Sequence, residues 1–126
     1  MPARKPEQCD LLLAEALHRG DVETAVALYE PNTSLVLYGS GQVVTGRAAI
    51  REVLQSFVDL KLQIAMEITA VQNGDGDLAL TRTKTTATGV DANGQPVSMS
   101  GRTVELVRRQ PDGTWLFVID DQHVAN

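Results

Sequence analysis

Apolar residues recur at helical spacing through the first half of the chain and alternate with polar ones through the second, so the pattern predicts helices followed by a sheet. Leu12, Leu13, Ala16 and Leu17 share one stripe behind Lys5-Pro6-Glu7, and Gly20 stops that helix. Asp21 can cap a second helix over 22–29, where Val22, Ala25, Val26 and Tyr29 sit three or four apart and Pro31-Asn32 ends the run. Residues 33–38 are β-branched and apolar, Gly39-Ser40-Gly41 turns the chain, and Gln42-Val43-Val44 returns as a short hairpin. A third helix follows Thr45-Gly46, with Ile50, Val53, Leu54, Phe57 and Val58 on one face. Four strands follow at about 61–73, 77–90, 96–109 and 114–124, joined by Asn73-Gly74-Asp75-Gly76, Asn93-Gly94 and Pro111-Asp112-Gly113. Helices ahead of an antiparallel meander make an α+β fold, and a strongly coiled sheet folded over them encloses a cone.

Composition narrows this little. The chain has 126 residues, 43% of them apolar and 21% charged, the size and balance of one globular domain over 1–126, with 1–7 expected to be flexible. Sixteen Asp+Glu against eleven Lys+Arg leave a formal charge of −5, which argues against nucleic acid or an anionic membrane as partner. Cys9 is the only cysteine, so no internal disulfide can form, and no signal peptide or membrane span is legible. A cytoplasmic location is the expectation.

Alternation sorts the strand residues into two rows. The Asn93-Gly94 turn pairs Ala92 with Gln95, which sets Arg82 opposite Glu105 and Lys84 opposite Thr103. Pairing Val107 with Leu116 sets Thr103 opposite Asp120, and Glu67 falls opposite Arg82 or Lys84. One row then holds Glu67, Leu80, Arg82, Lys84, Thr103, Glu105, Val107, Val118, Asp120 and Gln122. The other holds Ile64, Met66, Ile68, Val104, Leu106, Trp115, Phe117 and Ile119, and for a lone domain it reads as the core.

Several segments, taken in order, resemble the SnoaL-like family of the nuclear transport factor 2-like (ketosteroid isomerase-like) superfamily. They are Gly20-Asp21 between two helices, Tyr29-Glu30-Pro31-Asn32, Gly46-Arg47-Ala48-Ala49-Ile50, then Arg108-Arg109-Gln110-Pro111-Asp112-Gly113-Thr114-Trp115 and Ile119-Asp120-Asp121. The resemblance spans about 8–124 and implies three N-terminal helices packed in the concave face of a strongly curved antiparallel sheet, a cone-shaped, cystatin-like α+β barrel. It also implies a homodimer formed through the convex sheet face. Such folds host isomerases, cyclases, dehydratases, epoxide hydrolases and non-catalytic modules, so the fold alone does not fix a reaction. Where ketosteroid isomerases carry an oxyanion-hole tyrosine and a general-base aspartate, this chain has Leu13 and Leu37, while Glu105 matches their second, protonated donor. Ketosteroid isomerisation by that mechanism is thereby excluded.

The resemblance puts the charged row inside the cone and the apolar row at the dimer interface, with Trp115 as an anchor there. Asp120 and Glu105 are then the candidate acid and base, and Tyr38 is a hydroxyl beside the lost base position. Arg82, Lys84, Glu67, Thr103, Leu80, Val118 and Gln122 are the expected ligand contacts, with Leu54 and Phe57 of the third helix as wall. Glu67, Arg82 and Glu105 read equally as a structural ion-pair network. Asp120 either meets Arg82 or Lys84 and stays ionised, or is desolvated and titrates higher. Tyr29 is expected to pack at the end of the second helix, and His18 to sit near the end of the first helix where a cation suits the dipole. Asp121-x-His123 lacks a third ligand, so neither a metal nor a cofactor is expected. The expected function is binding of a small molecule in a buried pocket, with or without cofactor-free isomerase, cyclase or lyase chemistry. The alternative is a non-catalytic ligand-binding or dimeric scaffold protein.

Overall fold

The computed structural model describes residues 2–124, as α1 (Gln8–His18), α2 (Val22–Val26), β1 (Tyr29–Val36), β2 (Val43–Thr45), α3 (Arg47–Asp59), β3 (Gln63–Gln72), β4 (Leu78–Val90), β5 (Pro96–Arg109) and β6 (Trp115–Val124). Asp21 caps α2 as the sequence predicts, its Oδ1 accepting from the Thr24 amide at 3.1 Å. The second helix is shorter than expected. It stops at Val26, and Tyr29 opens a strand instead of closing a helix. Pro31 disfavours the helical region for Glu30, and the Leu28 carbonyl accepts from the Phe117 amide at 2.8 Å, drawing this segment onto the sheet.

The strands form one curved, unclosed sheet in the order β2-β1-β6-β5-β4-β3. The meander is antiparallel throughout, but β1 joins β6 in parallel, a pairing that alternation alone does not disclose. The helices lie in the concave face. Ile50 and Leu54 of α3 and Ala16 and Leu17 of α1 bury there against Tyr29, Leu35, Val107, Trp115 and Phe117. Gly89 lets β4 pass close to the end of α3, where a Cβ would stand 2.2 Å from the Leu60 carbonyl oxygen. Residues ahead of α1, expected to be flexible, lie against β6: Ala3 is buried, and its carbonyl accepts from the Trp115 amide at 2.9 Å. No helix among the described residues is long and apolar enough to cross a membrane.

Two one-residue features decide which side chains enter the cone. The loop between β4 and β5 has one residue more than the expected turn. Val90 pairs with Pro96, Gly94 takes a φ of 75°, and Asp91 Oδ1 accepts from the amides of both Asn93 and Gln95. Thr81, not Arg82, therefore stands opposite Glu105, and Lys84 opposite Arg102. The β4 row turns over, so Arg82 and Lys84 point out to solvent and Thr81 and Thr83 point in. Glu67 does pair with Lys84, as expected, but both lie on the outer face with Leu80.

The second feature is a bulge in β6. Phe117 pairs with Val107 and Ile119 with Leu106, leaving Val118 without a partner on β5. Thr33 closes the bulge by donating its hydroxyl to the Phe117 carbonyl at 2.6 Å. Trp115 and Phe117 consequently belong to the core, and Trp115 is not a dimer anchor. Beyond the bulge the phase reverses, so Asp120 also faces inward. Of the apolar row assigned to the convex side, Val104, Leu106 and Ile119 remain there, whereas Ile64 and Met66 line the cavity.

Candidate functional site

The helices and the curved sheet enclose a cavity of about 110 Å³. Its wall is apolar. Leu13 and Leu17 come from α1, Leu54 and Phe57 from α3, Leu62 from just ahead of β3, Ile64 and Met66 from the start of β3, and Ala87 and Met99 from β4 and β5. Each strand presents alternate residues inward, so one cone wall combines aliphatic and hydroxyl side chains.

Three carboxyls also line this cavity: Asp10 from α1, Glu105 from β5 and Asp120 from β6. Their relative exposures are 4%, 2% and 3%, and among the described residues no salt bridge reaches any of them. Isolated charges buried to this degree are costly, and carboxyls respond by holding their protons. Burial, reinforced by the neighbouring Glu105 charge, pushes Asp120 from 3.8 up to about 7. Burial also raises Asp10 from 3.8 to about 6, while hydrogen bonding with Glu105 opposes the rise. Glu105 is driven well above the usual carboxylate range by burial first and by the Asp10 charge second. Asp10 and Glu105 are hydrogen-bonding neighbours, so the two carboxyls bind their protons as a pair and not independently.

The surroundings hold each acid in place. The Tyr29 hydroxyl donates to Asp120 Oδ2 at 2.7 Å, and Gln122 Nε2 approaches the same oxygen at 3.4 Å. Tyr29 is itself fixed. Its ring leans on Phe117 with centroids 4.8 Å apart, and its carbonyl accepts from Arg47 Nε and Nη2 at 2.8 and 2.6 Å. Burial, with the Asp120 charge second, keeps the Tyr29 phenol protonated and a donor at any working pH. Thr81 donates to Glu105 Oε1 at 2.8 Å, and Thr83 and Thr103 share a hydrogen bond at 2.5 Å on the adjoining wall. Cys9 lies beside the acids, but burial raises its thiol far out of the nucleophilic range and its Sγ donates to the Trp115 carbonyl at 3.3 Å.

Of the residues singled out from the sequence, Asp120, Glu105, Thr103, Gln122, Leu54 and Phe57 share this cavity. Tyr38 lines it at the rim and is 45% exposed, away from the floor acids. Arg82, Lys84, Glu67 and Leu80 lie on the opposite side of the sheet for the loop reason given above, and Val118 is taken up by the bulge. The expected cross-strand cluster of Glu67, Arg82 and Glu105 is therefore not formed. Asp121 and His123 point away from the cone, the Asp121 carboxylate accepting from the His123 amide at 2.9 Å. His18 Nε2 accepts from the Ile64 amide at 2.8 Å, tying the end of α1 to β3.

Two site residues were missed. Asp10 lies three and seven residues before Leu13 and Leu17, so an acid on the apolar stripe of α1 was the available signal. Tyr29 carried no such signal, because its place follows from where α2 stops.

The sequence profile of the SnoaL-like domain family matches residues 12–121. Among solved structures, a proposed dehydratase of the NTF2-like family from Streptomyces avermitilis superposes with a TM-score of 0.79 at 20% identity, covering 95% of this chain and 93% of its own. A ketosteroid isomerase-like protein from Erwinia carotovora atroseptica gives 0.76 at 22% identity, over 91% and 89% of the two chains. An NTF2-like protein with a cystatin-like fold from Novosphingobium aromaticivorans gives 0.76 at 18%, over 94% and 79%. At these identities the likeness is one of fold. No curated protein matches the sequence.

Proposed function

The chain belongs to the SnoaL-like domain family, and from that premise we propose that it binds a small, mainly apolar molecule in the cone and moves a proton on it without a cofactor. The observation that carries this reading is the set of three desolvated carboxyls at the inner end of an otherwise apolar cavity. Asp120, titrating near 7, exchanges a proton at neutral pH, and Tyr29 orients it. The Asp10–Glu105 pair keeps a proton available as a hydrogen-bond donor to charge developing on the ligand. Isomerisation, cyclisation and elimination all need this combination, and the dehydratase and isomerase-like names of similar structures fit it.

The test uses cyclic ketones in D2O. Exchange of protons next to the carbonyl should be accelerated by the protein and lost in Asp120→Asn with the fold intact. Exchange that is no faster than in buffer, with the ketone shown to bind, would leave a binding module without turnover. Leu13 and Leu37, which stand where ketosteroid isomerases carry catalytic groups, favour that second reading.

The partner reading is a homodimer through the convex face. Leu80, Leu106 and Ile119 pair across β4, β5 and β6 as one apolar row, and Ile119 is 44% exposed. Sedimentation should show a dimer that Ile119→Lys dissociates. The lone buried thiol of Cys9 suits a reducing, cytoplasmic setting.

A further inference from the structure

The inner row of β4 carries a hydroxyl at every position between Ala79 and Ala87: Thr81, Thr83 and Thr85. Strand propensity accounts for the exposed Thr86 and Thr88 on the other face. It does not account for the inner three, because a hydroxyl facing an apolar cone is costly unless bonded, and valine would fill the same space. Here the hydroxyls bond one another in a line. Thr85 and Thr83 stand 2.6 Å apart, and Thr83 and Thr103 of β5 stand 2.5 Å apart. In each contact either oxygen can donate and either can accept. Thr103 is the neighbour of Glu105 on the inner row of β5 and hydrogen-bonds its carboxyl, to which Thr81 also donates at 2.8 Å.

The line runs from the buried end of the cone toward its edge. Glu105 is buried and so is Thr83, whereas Thr85 is half-buried. With the exposed Ser100 and Arg102, Thr85 borders both the cavity and a second groove on the surface. The titratable groups that face Glu105 are Cys9, Asp10, Tyr29 and Asp120. All four are as enclosed as Glu105 itself, so none of them links it to bulk water.

We propose that Thr85, Thr83 and Thr103 form a proton relay between solvent and Glu105. When a proton from water joins Thr85 Oγ1, Thr85 passes its own hydroxyl proton to Thr83, Thr83 to Thr103, and Thr103 to the Glu105 carboxylate. Each hydroxyl oxygen gains one proton and releases one, and the carboxylate becomes a carboxylic acid. Rotation of the three hydroxyls then restores the row, and the reverse sequence returns the proton to water. The hydroxyls belong to the wall and not to the lumen, so the row stays connected when a ligand displaces water from the cone. The relay rests on the proton-transfer reading above for its use, because it renews the proton of the Asp10–Glu105 pair in an occupied site.

Relaxation dispersion of the Glu105 side-chain carboxyl carbon, recorded at the midpoint of its own titration, reads the rate of proton exchange apart from the affinity for the proton. Thr83→Val keeps the volume and removes the middle hydroxyl. It should slow exchange at least tenfold, and Thr83→Ser, which keeps a hydroxyl, should stay within threefold of the unmodified protein. Thr103→Val should slow exchange too, and it carries the test where Thr83→Val does not fold. Thr86→Val, on the outer face, should change nothing. A raised Glu105 midpoint with a rate that the inner valine variants leave unchanged overturns the relay alone, and so does a serine variant as slow as the valine one. A Glu105 midpoint in the ordinary carboxylate range overturns the relay and the proton-transfer reading together, because the carboxyl would then be in water.

Discussion

The two faces of the sheet both carry charge and treat it in opposite ways. On the outer face Glu67, Arg82, Lys84 and Arg102 stand in solvent, where each is hydrated and neighbouring charges interact weakly. On the inner face Asp10, Glu105 and Asp120 have lost their water and gained no cation. The outer charges keep the surface polar. The inner ones are pushed toward their protonated forms, a state that suits proton transfer and strains the fold. The difference lies in one peptide's thickness of sheet, because Arg82 and Thr81 are adjacent and only one of them can face Glu105.

The sharpest way to break the inner face is to remove what supports it. Phe117→Ala takes away the ring under Tyr29 and leaves a void, and should cost about 3–5 kcal/mol in urea unfolding.

Next comes the acid strain itself. A carboxyl raised from 3.8 to about 7 binds its proton more tightly in the folded state than in the unfolded one. Stability is therefore greatest below the unfolded value and is lost as pH rises through the folded value. Ionising Asp120 in place costs on the order of 4 kcal/mol at about 1.4 kcal/mol per pKa unit. The melting temperature should rise on acidification from pH 8 to 5, with Asp10 adding its share near pH 6. Asp120→Asn should stabilise the protein at pH 8 by about 2 kcal/mol or more and flatten that pH dependence. A melting temperature that falls over this range would mean that the floor acids are hydrated.

Tyr29→Phe separates orientation from burial. It removes one hydrogen bond, should cost about 1 kcal/mol, and should move the Asp120 midpoint upward, because that bond favours the ionised form. The smallest effect belongs to the outer face. Arg82→Ala and Lys84→Ala should each change stability by less than about 0.5 kcal/mol and leave ligand binding unchanged.

The element order and the limits of the four meander strands were legible because periodicity and turn chemistry are local, whereas the first strand starts four residues earlier than its β-branched run. The helix stripes at Leu13–Leu17 and Ile50–Val58 and the three hairpin turns are written in neighbouring residues. Asp120 and Glu105 were legible as inward acids, each for a reason only half visible. Glu105 follows from strand phase, but Asp120 faces inward through two shifts that cancel: a changed pairing with β5 and the Val118 bulge. Arg82 and Lys84 were misplaced because Asp91 builds its turn through its own side chain and so adds a residue to the loop. A register error of one residue turns a whole row of side chains over. Tyr29 could not be read at all, since its contact with Asp120 depends on a parallel pairing between segments far apart in the chain.

The central claim is that the inner acids are desolvated and the outer ones are not, and carbon-13 titration of the side-chain carboxyls tests it most directly. Asp120 should show its midpoint near 7 and Asp10 near 6, with Glu105 well above the ordinary carboxylate range. Midpoints near 4 for all of them would contradict the account.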